Sequence, residues 1–243
     1  MKLGKLPKEE DRYGRNLKLD KYLDRDKVPR LPLSQAWSKR VGSWGTFLND
    51  ELKCCLVSMG GHAIQTWTAN NARPVRVSDA DIEKAYSAIS GYVPGRPETD
   101  QGATMLAMMK HWRTYGVGDH KILAFLEFNP RDHFSLMWSI RVAGGACLGL
   151  MLPRSAEGES FWHSTSDRPG SWGGHGFWMP DYDLHRRKGP TWGYLKGMSP
   201  EFVDRYSDEG YVPISEEWTG DDLVAPNGLR LDEVLADLKL VTQ

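Results

Sequence analysis

Cysteine is scarce in this chain. There are three among 243 residues, two of them adjacent at Cys54 and Cys55 and the third at Cys147. An odd set with two neighbours makes no disulfide framework, so a reducing compartment is the natural setting. An excess of charge of one sign is lacking too: 31 Lys and Arg against 32 Asp and Glu leave a formal net charge of −1. That balance provides no global attraction to nucleic acid or to an anionic membrane, and neither is expected as a partner. The basic run Arg186-Arg187-Lys188 is short and reads as a solvated loop. No apolar run approaches the roughly 20 residues of a membrane span, and "MKLGKLPKEEDRYGRNLKLDKYLDRDKVPRLPL" at the N-terminus has no apolar core of the kind an export signal needs. A cytoplasmic protein is the expectation. The glycines of "VAGGACLGL" and "SWGGHGF" fit neither phosphate-loop fingerprint, the seven histidines show no HExxH spacing, and Cys54-Cys55 lacks the spacer of a zinc knuckle. No metal and no cofactor is expected.

What is present divides unevenly. Residues 1–43 are rich in Lys, Arg, Asp and Glu with scattered Leu and Pro, the composition of an extended polar arm. Such an arm is held either against its own body or against a partner. From Cys55 to Trp67 the chain is almost continuously apolar. Leu56, Gly60, Ala63 and Trp67 form one helical stripe and Val57, Gly61 and Ile64 lie beside it, which predicts a central helix buried on both sides. Ser78 with Asp81 resembles a capping box ahead of Ile82, Ala85, Tyr86 and Ile89, and Asp100 is placed to cap a following helix through Leu106, Met109 and Trp112. "KILAFLEF" and "GACLGLMLP" read as strands, with a helix from Asn129-Pro130 between them. A long loop over 154–174 is followed by short strands at "GHGFWMP", around "TWGYL" and at "GYVPIS". An amphipathic helix over 229–240 closes the chain through Leu231, Val234, Leu235 and Leu238. Helices first and strands later is an α+β layout, a helical lobe over about 44–118 facing a sheet lobe over about 119–218. The ten tryptophans suit core and interface anchors better than a binding groove.

A cysteine in the first turn of a helix meets free backbone N–H groups and the positive end of the helix dipole, both of which stabilise a thiolate. Cys54 and Cys55 both satisfy this. A thiolate nucleophile also needs a histidine, an oxyanion donor and a group that orients the imidazole, drawn from distant parts of the chain. His62 stands seven residues after Cys55 on the same helical face, about 10 Å along the axis and out of hydrogen-bonding range. It reads as a packed core histidine.

Taken in order, these segments resemble the papain-like cysteine peptidases. Asn49 stands six residues before Cys55, where that family carries a Gln or Asn of its oxyanion hole, and "CLVSMGGHAIQTW" matches the helix opened by the nucleophile. "TDQGATMLAMMKHWRTYGV" resembles the stretch in which an acidic or amide residue and Gly precede a helix, and "HFSLMWSIRVAGGACLGLMLP" a helix and strand of the second lobe. "GGHGFWMPDYD" is similar to the segment around the catalytic histidine and so selects His175, while "TWGYLKGMSPEF" resembles the family's "SWG" strand at Trp192 and Gly193. The resemblance covers about residues 44–215 and implies a papain-like two-lobed α+β fold, its sheet lobe barrel-like.

It also implies a chemistry. Cys55 is the nucleophile, His175 its base and acid, Asn49 with the backbone N–H of Cys55 the oxyanion hole, and Trp192 a wall of the cleft. Cys54 is left as a small buried residue. Three positions depart from the pattern: Lys53 stands where the family has Gly, Leu56 where it often has an aromatic, and Pro190 where it has the Asn that orients histidine. Thr191, Asp181 and Asp183 remain open as substitutes for that Asn. The implied function is a peptidase or amidase acting on a peptide or protein through a thioester, with Cys55 alkylated faster than the other two thiols. The competing reading is a papain-like body used as a structural or assembly protein, such as a phage virion component, with partners gripped by the arm. A polar group behind His175 favours the first and a filled cleft the second.

Overall fold

In the computed structural model, which describes residues 1–9, 17–21, 23–26, 28, 30–219 and 224–226, the run Cys55–Asn70 forms a single helix, α1. Every residue of it except Ala69 is buried, as expected for a helix apolar all round. Its polar side chains are satisfied internally. Thr66 and Thr68 donate back to the carbonyls of His62 (2.9 Å) and Ile64 (2.7 Å). Ser58 donates to Phe47 O at 2.9 Å, the His62 ring bonds Gly45 O at 2.8 Å, and Gln65 donates to Ser43 O at 3.2 Å. The polar face of α1 therefore clasps the loop that carries Asn49.

Two further helices complete this lobe, α2 (Asp79–Ser90) and α3 (Met105–Thr114). Ser78 caps α2 by accepting from Asp81 N, and Gly91 ends it in the left-handed conformation at φ 76°. Thr104, not Asp100, caps α3, accepting from Ala107 N at 3.3 Å. Asp100 is turned instead toward the segment before Cys55 and accepts from Lys53 N at 3.0 Å. Trp67 ties the lobes together: its indole N–H donates to Ala143 O at 2.7 Å, and its ring stacks on Trp112 (5.5 Å between centroids) and meets Trp178 edge-on (5.6 Å). Trp67, Trp112, Trp162, Trp178 and Trp218 are all fully buried, so half of the ten tryptophans are core anchors.

The strands are β1 (Gln35–Ala36), β2 (Ala124–Phe128), β3 (Ala146–Leu152), β4 (Phe161–Trp162), β5 (Gly173–Met179), β6 (Asp181–Tyr182), β7 (Arg187–Thr191), β8 (Tyr194–Met198) and β9 (Ser207–Ile214). Short helices α4 (His133–Ala143), α5 (Pro200–Tyr206) and α6 (Glu216–Thr219) flank them. The sheet lobe is built of mostly antiparallel sheets, as expected, and among the described residues they do not close into a barrel. There are two open sheets, β2-β9-β3-β5, which is antiparallel, and β1-β6-β7-β8-β4, in which only β4 and β8 run parallel. Pro180, between β5 and β6, has no N–H to continue a ladder, and the chain leaves one sheet for the other there. Helix α4 starts later than Asn129-Pro130 because residues 129–132 close a turn first, Asp132 N donating to Asn129 O at 2.9 Å. Residues 35–38 are built into the body: β1 pairs with β6, and Trp37 donates to Ile140 O at 2.8 Å. The expected helix over 229–240 lies outside the described residues.

Gly61 packs against the Phe47 ring, where a Cβ would stand 2.9 Å from Cε2. Gly61→Ala is expected to destabilise the chain by about 1–3 kcal/mol through overpacking, read as a lower midpoint in urea unfolding. The same strain falls on the Asn49 loop.

Candidate active site

Cys55 is the first residue of α1, and the bare Gly176 of β5 lets that first turn approach the strand. A Cβ at Gly176 would meet Leu56 Cδ2 at 2.6 Å and Cys55 O at 3.3 Å. The Gly176 N–H points at the sulfur, donating to Cys55 Sγ at 3.4 Å, which brings the β5 segment that carries His175 to the start of α1. His175 Nε2 bonds Thr191 Oγ1 at 2.7 Å, and its Nδ1 is buried with no hydrogen-bond partner. Trp192, in the β7–β8 turn with φ 50°, stacks on the imidazole at 4.5 Å and 22°. Behind Pro190 it is thus Thr191, one residue on, that supplies a polar group to the ring.

The other candidates lie elsewhere. Asp181 accepts from Ser38 N at 2.9 Å and from the Ser38 hydroxyl, fastening residues 35–38 to β6. Asp183 closes a surface turn with Arg186 Nε at 2.9 Å. Neither reaches His175. Cys54 Sγ faces Phe47 O at 3.3 Å and Ser58 Oγ at 3.5 Å, a packing role at the helix boundary. His62 is wedged between Trp44 and Phe47. Among the described residues no three His, Cys, Asp or Glu side chains are grouped to hold a metal ion, and no helix is long and apolar enough to cross a membrane.

The cleft between the lobes is filled by the chain's own first residues. Lys2 N donates to Asn49 O at 3.0 Å, and Asn49 Nδ2 donates back to Lys2 O at 3.1 Å. The Trp192 indole reaches the same carbonyl at 3.4 Å. Further on, Lys5 N donates to Gly174 O at 3.0 Å, while Gly4 O accepts from Ala103 N at 2.9 Å and Leu6 N donates to Ala103 O at 2.8 Å, a parallel bridge of Lys5 with Ala103. Glycine is required where the two backbones meet. A Cβ at Gly4 would lie 1.8 Å from Lys53 O, at Gly102 2.0 Å from Gly4 O, and at Gly174 2.0 Å from Lys5 O.

No protein-family model matches the sequence, and no curated protein matches it either. Structural comparison does find relatives of shape. Xylellain, a cysteine protease from Xylella fastidiosa, superposes with a TM-score of 0.68 at 14% identity over 88% of this chain and 96% of its own. The chain has the papain-like fold. ProCathepsin B S9 from Trypanosoma congolense (TM-score 0.61, 9% identity, 88% of this chain and 87% of that one) resembles it similarly. So does the Amb a 11 cysteine protease of ragweed in its proform (0.57, 14%, 78% and 67%).

Within this papain-like cleft, burial sets the resting protonation states. It drives the Cys55 thiol up against the amides of Gly176, Gly4 and Lys5 and the Lys5 charge, which pull it down. It drives the His175 imidazole down to about 3, with a smaller push from His62. Both groups are neutral while buried, and alkylation of Cys55 is expected to be slow in this state. Cys54, pushed up to about 12, and Cys147 are buried thiols of the same inert kind. Sequence reasoning missed the cleft-crossing of residues 2–6 and the carboxylates Asp208 and Glu209 that meet it. The glycines of "MKLGKLPK" and "SWGGHGF" were the available signal, since each marks a close backbone approach.

Proposed function

We propose that this chain is a cysteine peptidase or amidase of the papain-like kind that cuts a peptide or related amide through a thioester, and that its first nine residues hold it shut. The observation that carries the reading is the His175–Thr191 bond, next to the Gly176 N–H that reaches the thiol at the start of α1. With Nε2–H donating to the Thr191 hydroxyl, Nδ1 keeps a free lone pair, and this is the atom that serves Cys55 in the proposed reaction. His175 takes the thiol proton as Cys55 Sγ bonds to the carbonyl carbon, and returns it to the nitrogen of the leaving amine as the C–N bond breaks. Water then cleaves the thioester by the same exchange, restoring the thiol. Asn49 Nδ2, which the Lys2 carbonyl now occupies, and the Cys55 N–H are the oxyanion donors. Trp192 screens the imidazole from water.

The arm lies across groups that would hold a substrate: Lys2 O occupies Asn49 Nδ2 at 3.1 Å and Lys5 N donates to Gly174 O at 3.0 Å. Two of the similar structures are described as proforms, in keeping with an occluded enzyme. The second reading, a papain-like body serving in an assembly, draws on the same filled cleft and on Pro190. A chain whose arm has been displaced separates them. The full chain with a Gly4 substitution is offered a pool of fluorogenic peptides, and acyl-enzyme is sought by intact mass. Hydrolysis that stops on alkylation of Cys55 supports the peptidase; no turnover and no adduct, with the arm demonstrably released, leaves the assembly role.

A further inference from the structure

We propose that Asp208 and Glu209 form the specificity pocket of this cleft and that the pocket takes a Lys or Arg side chain of the bound peptide. The inference rests on the peptidase reading for its biological meaning, but its structural basis is separate. Lys5, the arm residue paired with Ala103, buries its side chain completely: Nζ lies 2.8 Å from Asp208 Oδ2 and 2.9 Å from Glu209 Oε1, and donates to Leu6 O at 3.1 Å. The Glu209 side chain is 1% exposed and that of Asp208 27%.

Two consecutive strand residues ordinarily point to opposite faces. Here β9 is bulged: Gly149 faces Glu209 while the next residue, Leu150, faces Ser207, which leaves Asp208 as the extra residue. The bulge brings both carboxylates to one ammonium. Gly149 makes the channel for the alkyl stem, since a Cβ there would stand 2.3 Å from Lys5 Cε and 2.7 Å from Glu209 Cγ. Tyr211 donates to Glu209 Oε2 at 3.4 Å, which leaves Oε1 and Asp208 Oδ1 without a directed hydrogen bond. Acceptors remain for more donors than an ammonium brings to them, as the fork of an arginine would.

The backbone contacts of Lys5 with Gly174 and Ala103 are open to any residue, so they confer affinity without choice. The pocket makes the choice. Once the arm leaves, two adjacent carboxylates face a buried site with no cation, an arrangement that a cationic side chain relieves and a neutral or acidic one does not. The rest of the arm follows the same charge logic along its course, with Lys8 and Lys18 on Glu127 and Arg25 on Asp132.

The test uses the full chain carrying Gly4→Val, to displace the arm, and Cys55→Ala, to remove chemistry. A fluorescent peptide of the arm's own sequence, MKLGKLPK, is titrated by anisotropy against one with norleucine at the fifth position. Binding at least tenfold tighter for the lysine peptide, with the difference lost in Glu209→Gln, supports the pocket. Equal affinities, or binding of neither peptide, overturn it, and the norleucine comparison holds even where Glu209→Gln does not fold. In parallel, the Gly4→Val chain with Cys55 intact is offered a library scanning Lys, Arg, norleucine and Glu at each position before the cleaved amide. Cleavage indifferent to basic residues overturns the pocket and leaves the peptidase. Lysine-selective binding without cleavage of any peptide overturns the peptidase and leaves the pocket.

Discussion

Replacing Gly4 by Val in the full chain is expected to raise the alkylation rate of Cys55 by iodoacetamide at neutral pH roughly tenfold to hundredfold, the range that an overpacking cost of about 1–3 kcal/mol places on the open population. The clash is with backbone: a Cβ at Gly4 would sit 1.8 Å from Lys53 O. Lys53 cannot retreat freely, because its N–H is held by the Asp100 carboxylate at 3.0 Å, and Asp100 is itself fixed by the Tyr86 hydroxyl. At Gly4 the arm is held by a backbone bond from Ala103 N at 2.9 Å, with no buried carboxylate behind it, and is the part expected to yield. Cys54, held against Phe47 O and Ser58, and Cys147, in the middle of the β2-β9-β3-β5 sheet, are expected to remain slow in the same sample, and peptide mapping by mass spectrometry reads all three thiols at once. An unchanged Cys55 rate would show that the arm does not gate the cleft.

The same experiment has a pH dependence of known sign. Burial raises the Cys55 pKa while the arm's own Gly4 and Lys5 lower it, so the sign is carried by His175. Burial lowers His175 from 6.5 to about 3. A neutral ring is therefore favoured under the arm, and as pH falls below the ordinary histidine value protonation stabilises the released state. Release of the arm is expected to increase between about pH 6.5 and pH 3, measurable as growing protease sensitivity of residues 1–9 in the Cys55→Ala chain.

The parts of this molecule that were legible in its sequence are those whose cause is local. An unbroken apolar run with two glycines dictates a buried helix, and α1 follows it from Cys55 to Asn70. The short apolar runs "GACLGLMLP" and "GHGFWMP" likewise read as strands from their own composition, and β3 and β5 follow them. Thr191 was one of three open alternatives because its nearness to His175 depends on how β7 lies against β5, and residues 175 and 191 carry no trace of that packing. Pro180 was visible, but its consequence, a chain that changes sheets and leaves no barrel, needs the partner strands. The arm was the least legible element. "MKLGKLPK" reads as part of a polar arm held by its own body or by a partner, and what holds it is backbone pairing and one buried lysine whose carboxylates lie 203 and 204 positions away along the chain, Lys5 to Asp208 and Glu209. A bulge that aims two successive acids at one site leaves no periodic signature at all.

In the Gly4→Val chain, His175→Ala is expected to reduce kcat/KM for peptide hydrolysis by roughly 10²–10⁴-fold, the usual contribution of a positioned acid–base group. Thr191→Val tests the subtler part of the site. Removing the hydroxyl leaves Nε2 buried without its partner, a loss of about 1–3 kcal/mol, which corresponds to roughly tenfold to hundredfold in rate if the bond holds the ring in the reactive tautomer. Valine keeps the volume and the β-branch that suit strand β7, so the cost falls on the imidazole and not on the fold. Thr191→Ser, which keeps the oxygen, should recover most of the activity. A role in packing alone would reverse that order, with Val tolerated and Ser impaired by the lost methyl group. The pH profile gives a second discriminant: a thiolate that depends on His175 for proton removal loses its reactivity near neutrality in both His175→Ala and Thr191→Val, and regains it only as pH approaches the ordinary thiol value of about 8.5. Asp181→Asn and Asp183→Asn, whose carboxylates serve Ser38 and Arg186, are expected to leave kcat unchanged. If Asp181→Asn lowers kcat as far as Thr191→Val does, the hydroxyl is not the orienting group and the chemistry assigned to this cleft has to be redrawn around that carboxylate.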